Sequence, residues 1–467
     1  MAEYGSHAVI LGAGVAGLLA ARVLSDSHRT VTIVERDALP DDPEPRTGVP
    51  QGRHLHNFLA RGTQILGELF PGILDELAAA GATVDDGDDL SRIYVRVAGY
   101  EFAPAGRLAD PGPLAAYQAS RPFLEFHIRR RVAALENVTI LDQHDVVEPV
   151  MAGNSVVGVR TVNHRDGVAS VMQAGLVVDA TGRAMRTSHF LERHGSETPP
   201  EERIPSVGGY SSQLLRIRHG VIAERMAFVN DGSRAPGALL VAYEGDSWML
   251  AVFRPVGDDG PPTSFDEMVA VVERMLPASI VDGLRGATPE GEISIARSTA
   301  AVWHRYDQMA ELPEGLVVLG DALCHLNPMY GQGMSMAALQ AVALRDCLEV
   351  GFADLPRRFY MAAAEQILPV WTLNRANDRV PPRTAKRRLR NQMQQAALRA
   401  ATTDIAVAER VLRVRGLIDP PARLQDPSLW LRITLVNLRY VVPRKLPLQK
   451  AFQRGVARRF PRWLSAG

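Results

Sequence analysis

The sequence predicts an α/β fold in which a parallel, helix-covered sheet is interleaved with a second, sheet-rich domain and followed by a helical C-terminal region. Three observations predict it. A glycine-rich loop joins a short β-type run to a helical pattern near the N-terminus; two later β-type runs, ending at Asp179 and Leu319, each read straight into a glycine-containing loop; and the last hundred residues carry helical periodicity without internal repeats.

The elements follow in order. His7 to Leu11 reads as a strand, Gly12 to Gly17 as a loop, Ala16 to Ser25 as a helix and Thr30 to Glu35 as a second strand, which together make a βαβ unit. Residues Asp37 to Gly52, rich in Pro, Asp and Gly, predict an extended excursion, and a helix is expected from about Leu55 to Leu69. The spacing of Phe123, Phe126, His127, Arg130 and Val132 predicts another helix, followed by a strand at Val138 to Leu141. Alternation over Ser155 to Val162 and Val168 to Val178 predicts a small meander that returns to the first sheet. Tyr210 to His219, Gly237 to Tyr243 and Trp248 to Arg254 belong to the second sheet, and a helix is expected over Met334 to Val350. The divisions drawn from these runs are 1–186 and 297–350 for the two parts of the nucleotide-binding domain, 187–296 for the β-rich domain and 351–467 for the helical region.

With 467 residues the chain can bury a sizeable core, enough for roughly two to three ordinary domains. Lys plus Arg and Asp plus Glu balance at 52 each, so net charge points to no nucleic-acid partner. The distribution is uneven: from Arg375 onward there are 21 basic and 5 acidic residues, leaving 31 against 47 before it. Cys324 and Cys347 are too few and too widely spaced for a disulfide framework or a metal site, which fits a reducing cytoplasm. The apolar N-terminal run lacks a basic leader and contains spaced glycines, so it reads as strand, loop and helix rather than a signal peptide. No uninterrupted apolar stretch approaches the roughly twenty residues of a membrane span.

Chemistry enters with Gly12-Ala13-Gly14-Val15-Ala16-Gly17. Gly12 permits a tight turn, Gly14 lets backbone approach a pyrophosphate at a helix N-terminus, Gly17 allows close helix packing, and Glu35, at the end of the next strand, is placed for ribose hydroxyls. Such a fingerprint does not choose between FAD and NAD. Two further segments do: Val177-Val178-Asp179-Ala180-Thr181-Gly182-Arg183, and the run from Gly320-Asp321 through Asn327-Pro328-Met329-Tyr330-Gly331-Gln332-Gly333-Met334-Ser335.

In this order and spacing the three segments resemble the FAD-binding family that includes aromatic hydroxylases, squalene epoxidases and polyether-antibiotic epoxidases, over roughly residues 6 to 350. The resemblance implies a Rossmann-like FAD-binding domain. It also implies that Gly12, Gly14, Ala16 and Gly17 form the dinucleotide loop, that Glu35 and Arg36 hold the adenosine end, and that Arg46 and Arg129 reach the cofactor. Val147 would cover the adenine, Asp321 would bond a ribityl hydroxyl, and Gly331, Gly333 and Met334 would lie along the flavin ring at a helix N-terminus, whose dipole favours anionic reduced flavin. Arg121 is left outside this set, because a charge at a helix start is as readily a solvated one. Gly48 to His56 looks particularly like the polyether epoxidases, making His54, His56, His325 and Tyr330 candidates for the reaction pocket, although a loop histidine is more often a structural hydrogen-bonder.

A family of this kind implies a monooxygenase that reacts reduced flavin with O2, forms a C4a-hydroperoxide and passes one oxygen to a lipophilic substrate, with the cofactor supplying the chemistry. An epoxidase then needs neither metal nor triad, so no catalytic side chain is assigned. Epoxidation of an alkene in a polyketide or terpenoid metabolite is favoured over ring hydroxylation, since no sequence feature identifies a base for a phenol; a flavin reductase of the geranylgeranyl-reductase type is the reading from another class. Halogenation is disfavoured, because the first lysine is Lys386 and no Trp-x-Trp-x-Ile-Pro run occurs. The reductant is NADPH or NADH, directly or through a flavin reductase partner, the latter because Asp179-Ala180-Thr181-Gly182 replaces the family's Asp-Gly segment. The basic segments Arg383 to Arg390 and Arg439 to Arg462, interleaved with aromatics, are expected to pack over the acidic body or to touch a membrane surface peripherally.

Overall fold

The computed structural model describes residues 5–184, 186–257, 259–377 and 385–441, with backbone alone at 385–390 and 439–441. A five-stranded, wholly parallel sheet runs in the spatial order Leu316–Val318, Leu176–Asp179, His7–Leu11, Thr30–Val34, Val138–Leu141. In chain order this places the first strand centrally with the chain winding outward both ways, and ligands bind such sheets beyond the carboxyl ends of the strands. The strands are short apolar runs because both faces are covered. The helices Val15–Ser25 and Gly333–Val350 pack together on one side, and the antiparallel meander His144–Ala152, Ser155–Asn163, Ala169–Gln173 lies on the other.

The second sheet has seven strands, ordered Thr288–Ala296, Gly208–Arg216, Ser247–Pro255, Gly237–Ala242, Met226–Asn230, Ile93–Val97, Tyr100–Glu101. Its last two strands come from within residues 1–186, and Met226–Asn230 pairs with Ile93–Val97 in parallel. The sequence-drawn boundary at 186/187 therefore does not delimit the sheet: an excursion between the second and third strands of the parallel sheet supplies one edge. Alternation along Met226–Asn230 sends Ala227 and Val229 into a core shared with the helices Phe265–Val272 and Ala278–Arg285, leaving Met226 and Phe228 for the opposite face.

One expected element begins late. The helix expected from Leu55 starts at Ala60, because the preceding backbone is held by side chains from elsewhere. Tyr243 Oη accepts from His56 N–H (2.9 Å) and donates to His56 C=O (2.6 Å), and Leu59 N–H donates to Ser335 Oγ (2.8 Å). Residues 55–59 thus form an extended strap. The C-terminal helices Leu355–Asn377, Ala385–Ala401, Ile405–Arg415 and Pro427–Val441 are present as expected, the first packing on Gly333–Val350 and the later ones enclosing a core around Leu90, Val95 and Leu108. Among the described residues no helix is long and apolar enough to cross a membrane. The side chains of both basic segments, 383–390 and 439–462, lie outside the described residues.

Gly17 anchors the first helix against the loop that precedes it. A β-carbon there would lie 1.9 Å from Gly12 C=O. Gly17→Ala should lower stability by about 2 kcal/mol or more from the backbone shift it forces, although helix propensity alone favours Ala by up to ~1 kcal/mol. Denaturant unfolding of the two proteins reads the sign directly.

Candidate active site

A cavity of about 550 Å3 opens beyond the carboxyl ends of the parallel strands. Gly12, Gly14, Ala16, Glu35, Arg36 and Arg46 line its first half, and Asp321, Gly331, Gly333 and Met334 its second. Two helices start at it: Val15–Ser25, with Gly14 as N-cap, and Gly333–Val350, with Gln332. Neither N-terminus is capped by a side chain or has an acid in its first turn. Their free N–H groups and dipoles therefore favour an anion at each end of the cavity. The two ends are locked together, since a β-carbon on Gly320 (φ +70°) would meet Ala16 Cβ at 2.7 Å, and Gly320 N–H donates to Gln340 Oε1 (2.6 Å) on the second helix.

Charge is concentrated at the first half. Arg46 is nearly buried and pairs with Glu35 (3.0 Å), Asp37 (3.1 Å) and Glu125 (2.8 Å). Burial would depress its guanidinium, but Glu125, Glu35 and Asp37 outweigh it and hold the pKa above the ordinary value. Glu35 Oε2 also accepts from Ala13 N–H (2.8 Å), which ties the end of the second strand to the glycine loop. A β-carbon on Gly14 would stand 3.9 Å from Arg121 Nη2 and 4.0 Å from Arg46 Nη2. Two guanidinium groups thus face the bare backbone where a pyrophosphate would approach, a charge-assisted arrangement suited to phosphate oxygens. At the second half, Asp321 lies 3.6 Å from Arg183 Nε and beside Gly333.

His54 and His56 line the same cavity. His56 Nδ1 lies 3.0 Å from His54 C=O, so that nitrogen carries the proton, and Nε2 accepts from Arg121 Nη1 (3.3 Å). His56 therefore orients Arg121. His54 shares a hydrogen bond of 3.0 Å with Ser212 Oγ. Burial, reinforced by Arg121, pushes His56 down to about 3, and burial with Arg183 pushes His54 down to about 4, so both are neutral at pH 7.

Several expected residues stand elsewhere. Gly17 lies behind the loop, in the packing described above. Arg129 does not line the cavity; its guanidinium donates to Pro40 C=O and so holds the excursion. Val147 is 49 % exposed, and its neighbours Val146 and Asp145 line the cavity instead, because the strand bulges between Val146 and Glu148 and leaves Val147 unpaired in the ladder. His325 sits in the short strand Cys324–His325 away from the cavity, and burial followed by the Arg183 charge lowers its pKa. Asp179, fully buried, accepts from Thr181 and Thr187 through both oxygens and fixes the turn after its strand. Arg121, left outside the expected set, lines the cavity. Its place supplied a signal: a cation in the first turn of the helix Arg121–Ala133 opposes the dipole, and such a position invites a functional reason.

A second chamber, of about 500 Å3, adjoins the first. Its walls are largely apolar, from Ile93, Val95, Met226, Phe228 and Leu239 on the second sheet to Leu339 and Val370 on the helices, and Tyr330 lines it. The two spaces share Leu55, Asn57, Gly331 and Gln332. The strap and the turn before the second helix are thus the partition between them. Three buried acceptor oxygens in the chamber wall, Asn57 Oδ1, Asp85 Oδ2 and Asn374 Oδ1, have no partner among the described residues. Burial lifts Asp85 above the usual carboxylate range.

The fold is that of FAD-dependent monooxygenases, and the chain belongs to one family with Protein Rv3254 of Mycobacterium tuberculosis. The two are 38 % identical over 451 residues, covering 93 % of this chain and 94 % of that one. Kynurenine 3-monooxygenase of Salinispora tropica is 26 % identical over 73 % of this chain and 72 % of its own. Two solved structures share the fold: p-nitrophenol 4-monooxygenase PnpA of Pseudomonas putida, at TM-score 0.63 and 17 % identity over 88 % of this chain and 98 % of that one, and a triple mutant of the flavin-dependent brominase Bmp2, at TM-score 0.63 and 17 % identity over 94 % of this chain and all of the other. No protein-family model matches the sequence.

Two outcomes test this geometry. Arg46→Met leaves Glu35, Asp37 and Glu125 without their counter-charge and should destabilise the protein by about 3 kcal/mol or more, read by denaturant midpoint, and should shed FAD on gel filtration. Below the ordinary histidine pKa of about 6.5 the unfolded chain takes up protons that folded His54 and His56 refuse until about 4 and about 3. Stability should therefore fall as pH drops from about 6.5 towards 4. A His54→Gln/His56→Gln variant should show a shallower fall in melting temperature across that range.

Proposed function

We propose that the protein is an FAD-dependent epoxidase of an alkene in a lipophilic secondary metabolite of the polyketide or terpenoid class. The observation that carries the reading is the apolar chamber that meets the dinucleotide cavity at Leu55, Asn57, Gly331 and Gln332. The residues present fit FAD. Gly12 and Gly14, with Arg46 and Arg121 opposite, would hold the pyrophosphate, Glu35 and Arg36 the adenosine end, Asp321 the ribityl chain, and Gly331, Gly333 and Met334 the flavin. Bound there, FAD would supply activation of O2, one oxygen entering the alkene and the other leaving as water with two electrons from NADPH or NADH. The chain's own part is to exclude water with the strap 55–59 and the chamber walls, and to orient the substrate through Asn57 and Asn374. The electrons reach the flavin directly or from a separate flavin reductase; Asp179, engaged on both oxygens, favours the second route.

Ring hydroxylation stands as the second reading, favoured by Asp85: a buried carboxyl with a free oxygen and a raised pKa is the group that could take a phenol proton. Asp85→Asn would then abolish turnover of a phenol and spare that of an alkene.

The first test mixes anaerobically reduced holoprotein rapidly with O2, using NADPH, NADH or a flavin reductase as donor. A transient flavin absorbance that decays faster with an alkene present supports the oxygenase. Reoxidation without a transient under all donors and substrates supports the reductase reading instead. Met226→Trp, which fills the chamber, should cut product-coupled O2 consumption by at least about tenfold while FAD occupancy stays unchanged.

A further inference from the structure

The chamber contains a cation that the reading above leaves without a task. Arg415 ends the helix Ile405–Arg415 and lines the apolar chamber, with its guanidinium over the Phe228 ring, 4.8 Å from the centroid. The other arginines of this helix are matched. Arg410 pairs with Asp419 (2.7 Å), and Arg413 with Asp419 (3.1 Å) and Asp110 (2.9 Å). Arg61, the chamber's other arginine, pairs with Glu68 at 2.7 Å. Among the described residues no carboxylate lies within ion-pair distance of Arg415.

Among the described residues none of the acids that share the chamber pairs with Arg415. Asp419 serves Arg410 and Arg413, Asp89 accepts from Ser91 N–H, Asp85 accepts from Gly87 N–H, and Glu365 is exposed. An apolar wall, an aromatic face and no counter-charge make a costly place for a guanidinium, and burial accordingly lowers its pKa, the Tyr330 hydroxyl opposing. A ligand anion would remove that cost. The planar guanidinium matches a carboxylate through two parallel N–H···O bonds, a pairing that gains strength when water is excluded.

We propose that the substrate of this chamber is an amphiphile carrying a carboxylate, and that Arg415 pairs with that carboxylate while the apolar body lies along Met226, Leu239 and Leu339 toward the flavin. This makes Arg415 the residue that selects acids over their neutral counterparts. The inference rests on the chamber being the substrate site.

The test uses FAD-loaded protein and a matched pair of probes, 2-naphthoate and methyl 2-naphthoate, titrated by calorimetry. The acid should bind the unaltered protein at least about tenfold more tightly than the ester. Arg415→Met should erase that preference and leave ester affinity within about twofold; Arg415→Lys should keep part of it. A purely packing role for Arg415 would weaken both probes alike. If Arg415→Met does not accumulate as folded protein, Arg415→Gln replaces it with the same expectation. Equal binding of acid and ester by the unaltered protein, or a preference that survives loss of the guanidinium, overturns the proposal. Met226→Trp separates the two readings. If it blocks both probes while acid and ester bind alike in the unaltered protein, the chamber stands and only the carboxylate assignment fails; if both probes still bind the filled chamber, or neither ever binds, the chamber reading fails with it.

Discussion

The close approach of the first helix to its own loop and to Gly320 is the constraint on which the rest of the molecule depends. Gly17 lets the helix sit on Gly12 C=O, and a bare Gly320 lets Ala16 reach the loop that carries Asp321. Gln340 closes the arrangement from the second helix. Any added atom at these points would push apart two helix N-termini that must face one cavity. The cavity's length, and the separation of its two anion-favouring ends, are set by backbone contact rather than by side chains that could adjust.

Electrostatics then gives the cavity its polarity. The Arg46 cluster is a buried group of one cation and three carboxylates that strands, excursion and helix all contribute to. It fixes the excursion 37–52 against the parallel sheet, and Arg121, steadied by neutral His56, completes the cation pair opposite Gly14. Because both histidines are held uncharged, they add hydrogen-bond direction without adding to the positive field. The adjoining chamber is the reverse: few polar atoms, several of them unpaired, in an otherwise apolar wall.

Much of this was legible in the sequence where local chemistry decides the outcome. A glycine loop between strand and helix, an acid at the end of the next strand, and Gly320-Asp321 after a buried strand each require their conformation within a few residues, so Gly12, Gly14, Glu35, Asp321 and Gly333 come together as expected. Positions governed by distant partners were not legible. Val147 falls at a bulge in its strand; Arg129 answers to Pro40, across the excursion; the strap at 55–59 is non-helical because Tyr243 and Ser335 take its N–H groups. Arg415 reads as one more arginine in a basic region, and only the arrangement in space distinguishes it from Arg410 and Arg413.

The pairing of Met226–Asn230 with Ile93–Val97 carries a consequence for how the chain is made. Neither sheet is encoded by a continuous stretch, so the first half emerging from a ribosome presents the strand Ile93–Val97 with one edge still waiting for a partner far downstream. Such non-local pairing folds slowly and leaves edges exposed to aggregation meanwhile. The two sheets form one cooperative unit in which separately expressed halves would each carry an unfinished edge, and low temperature or chaperone supply during synthesis becomes the practical control on yield.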